Sequence, residues 1–325
     1  MSPIDFPPFL LFFVAALLTP FLRGWARAGL VLLVPVIGGL SLIGLEAGSF
    51  GQVSVLGYTL TLMRVDKLSL LFGYLFHLAS FLSFLFAIHL KKEDGAALQH
   101  TAALVYAGSA LGAVFAGDFI TLFIFWEILA LSSVFLIWAR KSDRSLATGV
   151  RYLVINVVSG VLLLAGALAH AHETGSIAFD YVGLDGLASW LILLSFGIKA
   201  GFPLLHNWLV DAYPEATPTG TVFLSAFTTK VAVYALARAF PGTDLLIWVG
   251  VAMTAFPIFY AVIENDLRRV LSYSMNNQIG FMVVGIGLGT ALSINGAVAH
   301  AFNDVIFKGL LMMSMGAVLY RTGKI

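Results

Sequence analysis

The chain has 325 residues, of which 60% are hydrophobic and only 11% are charged, with a formal net charge of +1. A soluble globular protein needs more charge on its surface, so the composition excludes that class. The sequence contains no cysteine, which excludes disulfides, thiolate metal sites and iron–sulfur ligation by this chain. It also contains no glycine-rich phosphate loop and no basic patch of the kind that binds nucleic acid.

Apolar runs recur along the whole chain, each close to the ~20 residues that an α-helix needs to cross a bilayer. They predict an all-α polytopic membrane protein of about eleven transmembrane helices, separated by charges, glycines and prolines. We expect the seventh span to be interrupted and the corner between the fourth and fifth to fall at Gly117 and Asp118. In chain order, the predicted spans are 8–22, 29–45, 66–90, 101–117, 119–139, 150–170, 187–213, 217–240, 244–263, 270–290 and 294–320.

The basic residues are distributed unevenly between the two sides that this count defines. Links after even-numbered spans contain only Arg64, Lys67 and Arg238. By the positive-inside rule, the other side is cytoplasmic, so the amino end lies outside and residue 325 lies in the cytoplasm. Links after odd-numbered spans, together with the residues after the last span, contain Arg23, Arg27, Lys91, Lys92, Arg140, Lys141, Arg144, Arg151, Arg268, Arg269, Arg321 and Lys324.

Five ionisable residues lie inside apolar runs, where a charge is costly: Glu127, Lys199, Lys230, Asp304 and Lys308. Each unpaired charge at the bilayer centre costs roughly 3 kcal/mol, so five would cost on the order of 15 kcal/mol. This equals or exceeds the net stability of a typical protein. The five groups must therefore be paired, hydrated or neutralised.

Spacing along the helices suggests partners for some of these groups. His300, Asp304 and Lys308 follow one another at intervals of four residues, so they share a helix face and Asp304 can pair with Lys308. Glu127 has no opposite charge within reach in its own span, so we expect its partner to be Lys199 or Lys230. These groups form either static ion pairs between helices or a series of titratable side chains that passes protons. Their number favours the proton-transfer series, which requires neither a metal nor an organic cofactor.

A helix break beside Lys199 fits a proton path. Pro203 removes a backbone donor and Gly201 adds flexibility, which predicts the interruption of the seventh span. Freed backbone groups at membrane depth are tolerated where they face protein or a water-filled cavity. His206 beyond the break is either a proton relay or an ordinary histidine at the membrane interface.

Several segments resemble one family of membrane proteins. These are FIFWEILALSS around Glu127, IKAGFPLLHNWLVDAYPEATPTG around Lys199, LSAFTTKVAVYALAR around Lys230, ENDLRRVLSYSMNNQIGFM at 264–282 and AHAFNDVIFKGLLMMSMGAVLYRTGK at 299–324. They resemble the antiporter-like membrane subunits shared by NADH:quinone oxidoreductase, membrane-bound hydrogenases and Mrp-type multisubunit cation/proton antiporters. The sequences of these segments are most similar to those of the D subunits of Mrp antiporters.

The resemblance implies a proton path through Glu127, Lys199, Lys230, His300 and Lys308. It implies N-terminal helices over 1–100, a first five-helix repeat over 101–240 and a second, incomplete repeat over 244–325. Members of the family usually continue for about three further spans, so this chain looks truncated at its carboxyl end: we expect a fragment, a chain completed by a partner, or a curtailed variant. At Asp304 the resemblance leads us to expect a second histidine, and the acid in its place could fix Lys308 in a salt bridge.

The expected function is that of a proton-translocating subunit in a multisubunit Na⁺/H⁺ antiporter in a bacterial plasma membrane. Its partners would be other membrane subunits, protons, Na⁺ and the lipid bilayer, and we expect no enzymatic activity of its own. One alternative is the corresponding subunit of a redox-driven proton pump, either NADH:quinone oxidoreductase or a hydrogenase. A second alternative is a scaffold subunit that conducts nothing.

Overall fold

The computed structural model describes residues 7–55, 57–92 and 95–323, except for the side chains of residues 91 and 92. Helices occupy all eleven predicted spans, and the chain is a multi-pass helical membrane protein. In the described residues, seven helical segments of at least 18 residues are apolar enough to cross a bilayer. The helices of the first six spans are α1 (Pro8–Leu18), α2 (Gly24–Ser41), α3 (Lys67–Phe86), α4 (Ala96–Phe115), α5 (Phe119–Trp138) and α6 (Asp143–Thr174).

The remaining spans include two interrupted helices. The predicted break in the seventh span is confirmed, because helix stops at Ala200 and resumes at Asn207. The eighth span, predicted as continuous, is also interrupted, at Phe227. The helices are α7 (Gly186–Ala200), α8 (Asn207–Glu215), α9 (Pro218–Ala226), α10 (Thr228–Ala239), α11 (Asp244–Ile263), α12 (Leu267–Leu288) and α13 (Ala291–Thr322).

A β-hairpin between α2 and α3 was not predicted. Strands β1 (Gly48–Val55) and β2 (Tyr58–Val65) pair in antiparallel register from Gly48 opposite Val65 to Val55 opposite Tyr58. The Thr61 N–H donates to the Asp118 carboxylate at 2.7 Å, and the Gly117 N–H donates to the Thr61 carbonyl at 3.0 Å. The hairpin is thereby fixed to the corner between α4 and α5, which lies where the sequence predicts it.

Ion pairs join the hairpin to two other parts of this face of the bundle. Arg64 pairs with Asp180 at 2.7 Å, and Arg238 at the end of α10 pairs with Asp66 at 2.8 Å. Burial raises the pKa of Asp66, but the Ser69 N–H and the Arg238 guanidinium outweigh it, so this pKa lies below the usual 3.8. Asp66 also caps α3 by accepting from the Ser69 N–H. We call the side of the bundle that carries these links the hairpin face.

The turn between α8 and α9 organises the opposite face. Glu215 pairs with Arg144 at 2.9 Å and with Arg140 at 3.5 Å. The buried Arg268 guanidinium donates to the carbonyl oxygens of Ala216 at 2.7 Å and Tyr213 at 3.1 Å. The links after the fifth, seventh and ninth spans thus meet on this face, whereas the links after the second, fourth, sixth and eighth spans meet on the hairpin face. For these links, the alternation required by the predicted span order is present.

Candidate functional site

Lys199 on α7 contacts the turn of α5 that carries Glu127, a half-buried acid. Lys199, in the last turn of α7, is fully buried, and its Nζ donates to the Trp126 carbonyl oxygen at 2.6 Å. The same ammonium lies 4.5 Å from the centroid of the Trp126 ring. Because Trp126 directly precedes Glu127, Lys199 acts electrostatically on the Glu127 carboxylate without a direct ion pair in the described structure.

Space for the Glu127 carboxylate comes from α6. Gly160 lies against it, and a Cβ atom at this position would overlap the carboxylate. Ser159, the preceding residue, accepts from the Trp126 indole N–H at 3.0 Å and donates to the Ser195 carbonyl on α7 at 2.8 Å. The acid and the lysine are therefore held by a common frame of α5, α6 and α7. Glu127 Oε1 itself is buried without a hydrogen-bond partner among the described residues.

The break after Lys199 borders a cavity. Gly201 ends α7 with φ of +80°, a conformation that favours glycine. The Ile198 carbonyl accepts from the Gly201 N–H at 3.2 Å and from the Trp208 indole N–H at 2.8 Å. Beside the break lies a cavity of about 470 Å³, which we call the vestibule; it is lined by Pro203, Leu204, His206, Asn207, Phe256, Tyr260 and Tyr273.

Two polar side chains at the break lack protein partners in the described structure. The His206 ring packs edge-on against Phe256 with centroids 4.6 Å apart, and its buried Nδ1 has no partner. Asn276 on α12 is fully buried, and neither its amide nitrogen nor its oxygen has a partner. A Cβ atom at Gly201 would lie 2.9 Å from Asn276 Oδ1, so this amide is packed against the break. Buried polar groups without protein partners are suited to binding water, and His206 lines the vestibule.

Lys230 lies on the first turn of α10, directly after the second interruption. Its Nζ lies 2.7 Å from an Asp304 oxygen and donates to the Ser225 carbonyl at 3.1 Å. Both charged side chains have no exposed surface. The pair connects the eighth and eleventh predicted spans. Among the ion pairs of the described residues, it is the one in which both side chains are fully buried.

The predicted pairing within α13 is therefore wrong. Asp304 pairs with Lys230 because α10 presents an ammonium group closer to it than Lys308, which donates to the Ser274 hydroxyl on α12. His300, one turn earlier, shares a hydrogen bond of 2.9 Å with the Gln278 side chain. The helix face predicted from the spacing is present, but its partners come from α10 and α12.

The second interruption and the polar groups beside it were not predicted from the sequence. No proline or glycine occurs between Thr221 and Lys230, so no local signal marks a break at Phe227. The break is held by α4, where the Tyr106 hydroxyl accepts from the Thr228 N–H at 3.0 Å. The Thr-Thr pair before Lys230 is the one local feature that could have suggested it.

This arrangement contains two buried lysines, each next to an interrupted helix and a carboxylate. An amine in such a position can hold a proton while a carboxylate or carbonyl oxygen stabilises it, and can release the proton when those oxygens are withdrawn. In the described residues, no cluster of three or more histidine or acidic side chains is placed to hold a metal ion. The chemistry that the site supports is the transfer of protons between side chains.

Comparison with known proteins identifies similar sequences and folds. Residues 116–325 match the family model described as "NADH:quinone oxidoreductase/Mrp antiporter, TM". The D subunit of the Na⁺/H⁺ antiporter of Alkalihalophilus pseudofirmus is 30% identical over 65% of this chain and 47% of its own length. "Hydrogenase-4 component B" of Escherichia coli is 27% identical over 80% of this chain and 43% of its own length. The chain thus spans about half the length of the curated relatives it matches.

The fold also has a solved counterpart. A chain in the structure of the Mrp complex from Dietzia sp. DQ12-45-1b superposes with a TM-score of 0.84 at 23% sequence identity. The superposition covers 100% of the present chain and 66% of that chain. At this level of identity the likeness establishes the fold.

Proposed function

Because the chain belongs to the NADH:quinone oxidoreductase/Mrp antiporter transmembrane family, we propose that it is a proton-translocating subunit of a multisubunit Na⁺/H⁺ antiporter. The observation that carries the proposal is the pair of fully buried lysines, Lys199 and Lys230, each beside an interrupted helix. Static ion pairs do not need a helix break beside each amine. A proton path does, because the break supplies polar backbone and access for water.

In this proposal, protons enter at the vestibule and reach Lys199 through water held at His206 and Asn276. Glu127 stabilises the charged form of Lys199 and gives it a second position away from the Trp126 carbonyl. Lys230 is the next carrier, and Asp304 plays the same part for Lys230 that Glu127 plays for Lys199. His300 and Lys308 continue the path along α13 beyond this pair.

We also propose an orientation in the membrane, partners and a division into repeats for this chain. We assign the face opposite the hairpin to the cytoplasm of a bacterium, because it carries most of the basic links. The partners are further membrane subunits, which fits the similarity of this fold to a chain of the Mrp complex from Dietzia. The division into N-terminal helices over 1–100, a repeat over 101–240 and a partial repeat over 244–325 also belongs to the proposal.

A second candidate is the equivalent subunit of a redox-driven proton pump, which the similarity to "Hydrogenase-4 component B" favours. The two candidates share the path and differ in the partners that drive it. Purification of the native complex separates them. Co-purified flavin and iron–sulfur proteins would identify the redox pump, whereas a complex without them that exchanges Na⁺ for protons would identify the antiporter.

The path itself is tested in proteoliposomes that contain the assembled complex. A proton gradient is imposed, Na⁺ is added, and a pH-sensitive dye reports the dissipation of the gradient. We expect Glu127→Gln, Lys199→Met and Lys230→Met to slow dissipation by about 100-fold or more, the scale of a lost proton-transfer group. Lys67→Met, which removes an exposed lysine at the start of α3, is the matched control and leaves the rate unchanged. Assembled variants that transport at the full rate would show that the chain is a scaffold.

A further inference from the structure

The interruption between α9 and α10 leaves carbonyl oxygens without their usual helical partners. Phe227 has φ of −110° and ψ of −64°, and the next N–H, that of Thr228, donates to the Tyr106 hydroxyl on α4. The Ser225 carbonyl at the end of α9 accepts instead from the Lys230 ammonium, at 3.1 Å. The carboxyl end of a helix carries partial negative charge, and such ends in interrupted membrane helices are known to coordinate Na⁺ or protons.

The Lys230 ammonium therefore marks a position where a cation is stabilised by oxygen atoms alone. A carboxylate oxygen of Asp304 lies 2.7 Å from Nζ, and the residues that supply this position are buried. Neither Asp304 oxygen has an aligned hydrogen-bond donor in the described structure. A static buried ion pair is normally completed by further hydrogen bonds to the acid. This carboxylate lacks them and keeps lone pairs available for a cation.

The first turn of α10 contains one more buried hydroxyl oxygen. The Thr229 hydroxyl, adjacent to Lys230 in the chain, is fully buried and has no hydrogen-bond partner among the described residues. The other charged group near Asp304 is Lys308 on α13, whose Nζ is occupied by the Ser274 hydroxyl. With two lysines near a single carboxylate, of which only Lys230 pairs with it, the position has no excess of negative charge and suits a monovalent ion better than a divalent one.

We propose that the Asp304 carboxylate and the Ser225 carbonyl form a binding site for a dehydrated alkali cation, which competes with the Lys230 ammonium for these oxygens. The inference rests on the proposed function, because it assigns the cation to the same point where Lys230 carries a proton. Binding of the metal cation and retention of the ammonium at this point exclude each other. Mutual exclusion at one site is what an exchanger needs to couple two ions.

Binding is measured directly and separately from transport. The full-length chain in its assembled complex, purified in detergent, is titrated with NaCl by isothermal titration calorimetry, with choline chloride holding the ionic strength constant. Asp304→Asn weakens Na⁺ binding by about tenfold to 100-fold, the value of a lost contact to a charged group. Lys230→Gln removes the competitor and strengthens binding by at least about tenfold. Repeating the titration with KCl reports the size preference.

Two further variants make each result decisive. Glu127→Gln, which removes the other acid of the path, blocks transport but leaves Na⁺ binding unchanged, so loss of the path and loss of the site are distinguishable. The double variant Lys230→Gln with Asp304→Asn contains no buried charge at this position, so it assembles without the cost of burying an unpaired charge. It does not bind Na⁺ at the site. Binding that survives Asp304→Asn or the double variant overturns the inference, as does a Lys230→Gln complex with no gain in affinity. Each of these three results leaves the proton path to be judged by the dye assay alone.

Discussion

The buried pair of Lys230 and Asp304 makes a quantitative prediction about stability. At 2.7 Å, with an effective dielectric constant of ~20, the attraction between the two charges is about 6 kcal/mol. Removing both ions from water costs several kcal/mol each, which offsets most of that attraction. The pair as a whole thus contributes little net stability, although each partner alone is strongly unfavourable.

Three variants test this reasoning. Lys230→Met leaves an unpaired carboxylate and Asp304→Leu leaves an unpaired ammonium, so each lowers the free energy of unfolding by about 3–5 kcal/mol. Lys230→Met combined with Asp304→Leu leaves no charge behind and lies within about 2 kcal/mol of the wild type. The free energies come from reversible unfolding of the purified protein in mixed micelles as the fraction of sodium dodecyl sulfate is raised.

The refuting result is additivity. If the double variant loses the sum of the two single losses, the two side chains act independently, and the contact between α10 and α13 is not an ion pair in the membrane protein. Lys308→Met, the neighbouring lysine on the same face of α13, is the control. Its combination with Asp304→Leu shows weaker coupling, because Lys308 contacts the Ser274 hydroxyl.

Three more predictions address the rest of the site and its supports. Gly160→Ala slows proton transport, because overlap with the Glu127 carboxylate costs about 1–3 kcal/mol, and the dye assay in proteoliposomes measures the loss. Arg268→Met lowers the free energy of unfolding by about 3 kcal/mol, because buried carbonyls at the α8–α9 turn lose their donor. Arg269→Met lowers it by less than about 1 kcal/mol, because Arg269 forms a partly exposed ion pair with Glu264. Asp66→Asn lowers the melting temperature at neutral pH, and the difference from wild type narrows as the pH falls, since the depressed pKa of Asp66 contributes stability that is lost in acid.

Each of these has an outcome that contradicts it. Adding Glu127→Asp to Gly160→Ala shortens the acid and should restore part of the proton transport. If this double variant transports protons no faster than Gly160→Ala alone, steric displacement of the carboxylate is not the cause of the loss. Equal losses for the two arginine variants would mean that the turn does not depend on Arg268. A constant gap between wild type and Asp66→Asn from neutral pH down through the pKa of the folded state would show that this carboxylate is not stabilised in its charged form.

The span order was predictable because the bilayer imposes a simple rule on the sequence. Long apolar runs ended by charges, glycines and prolines marked all eleven spans, and the glycine and proline after Lys199 marked the first break. The β-hairpin escaped prediction because β1 is largely exposed, so its residues show no consistent inward face. Its position depends on Asp118, whose contact with Thr61 joins parts of the chain that are 57 residues apart.

The ionisable residues of the site were visible in the sequence, but their partners were not. A charge inside an apolar run is evident by itself, whereas the residue that meets it depends on how the helices pack. Spacing of four residues made Lys308 the expected partner of Asp304, and tertiary packing supplied Lys230 instead. The break at Phe227 depends on a hydrogen bond from α4, which no local pattern in α9 or α10 contains.

The most direct test of the central claim is the rate of proton transport by the double variant Lys230→Met with Asp304→Leu, measured in proteoliposomes. This variant keeps the stability of the protein while it removes the proposed carrier. We expect a normally assembled complex whose Na⁺-dependent dissipation of the proton gradient is lost. Transport at the wild-type rate in that stable complex would mean that the buried lysine carries no proton and serves only to hold the helices together.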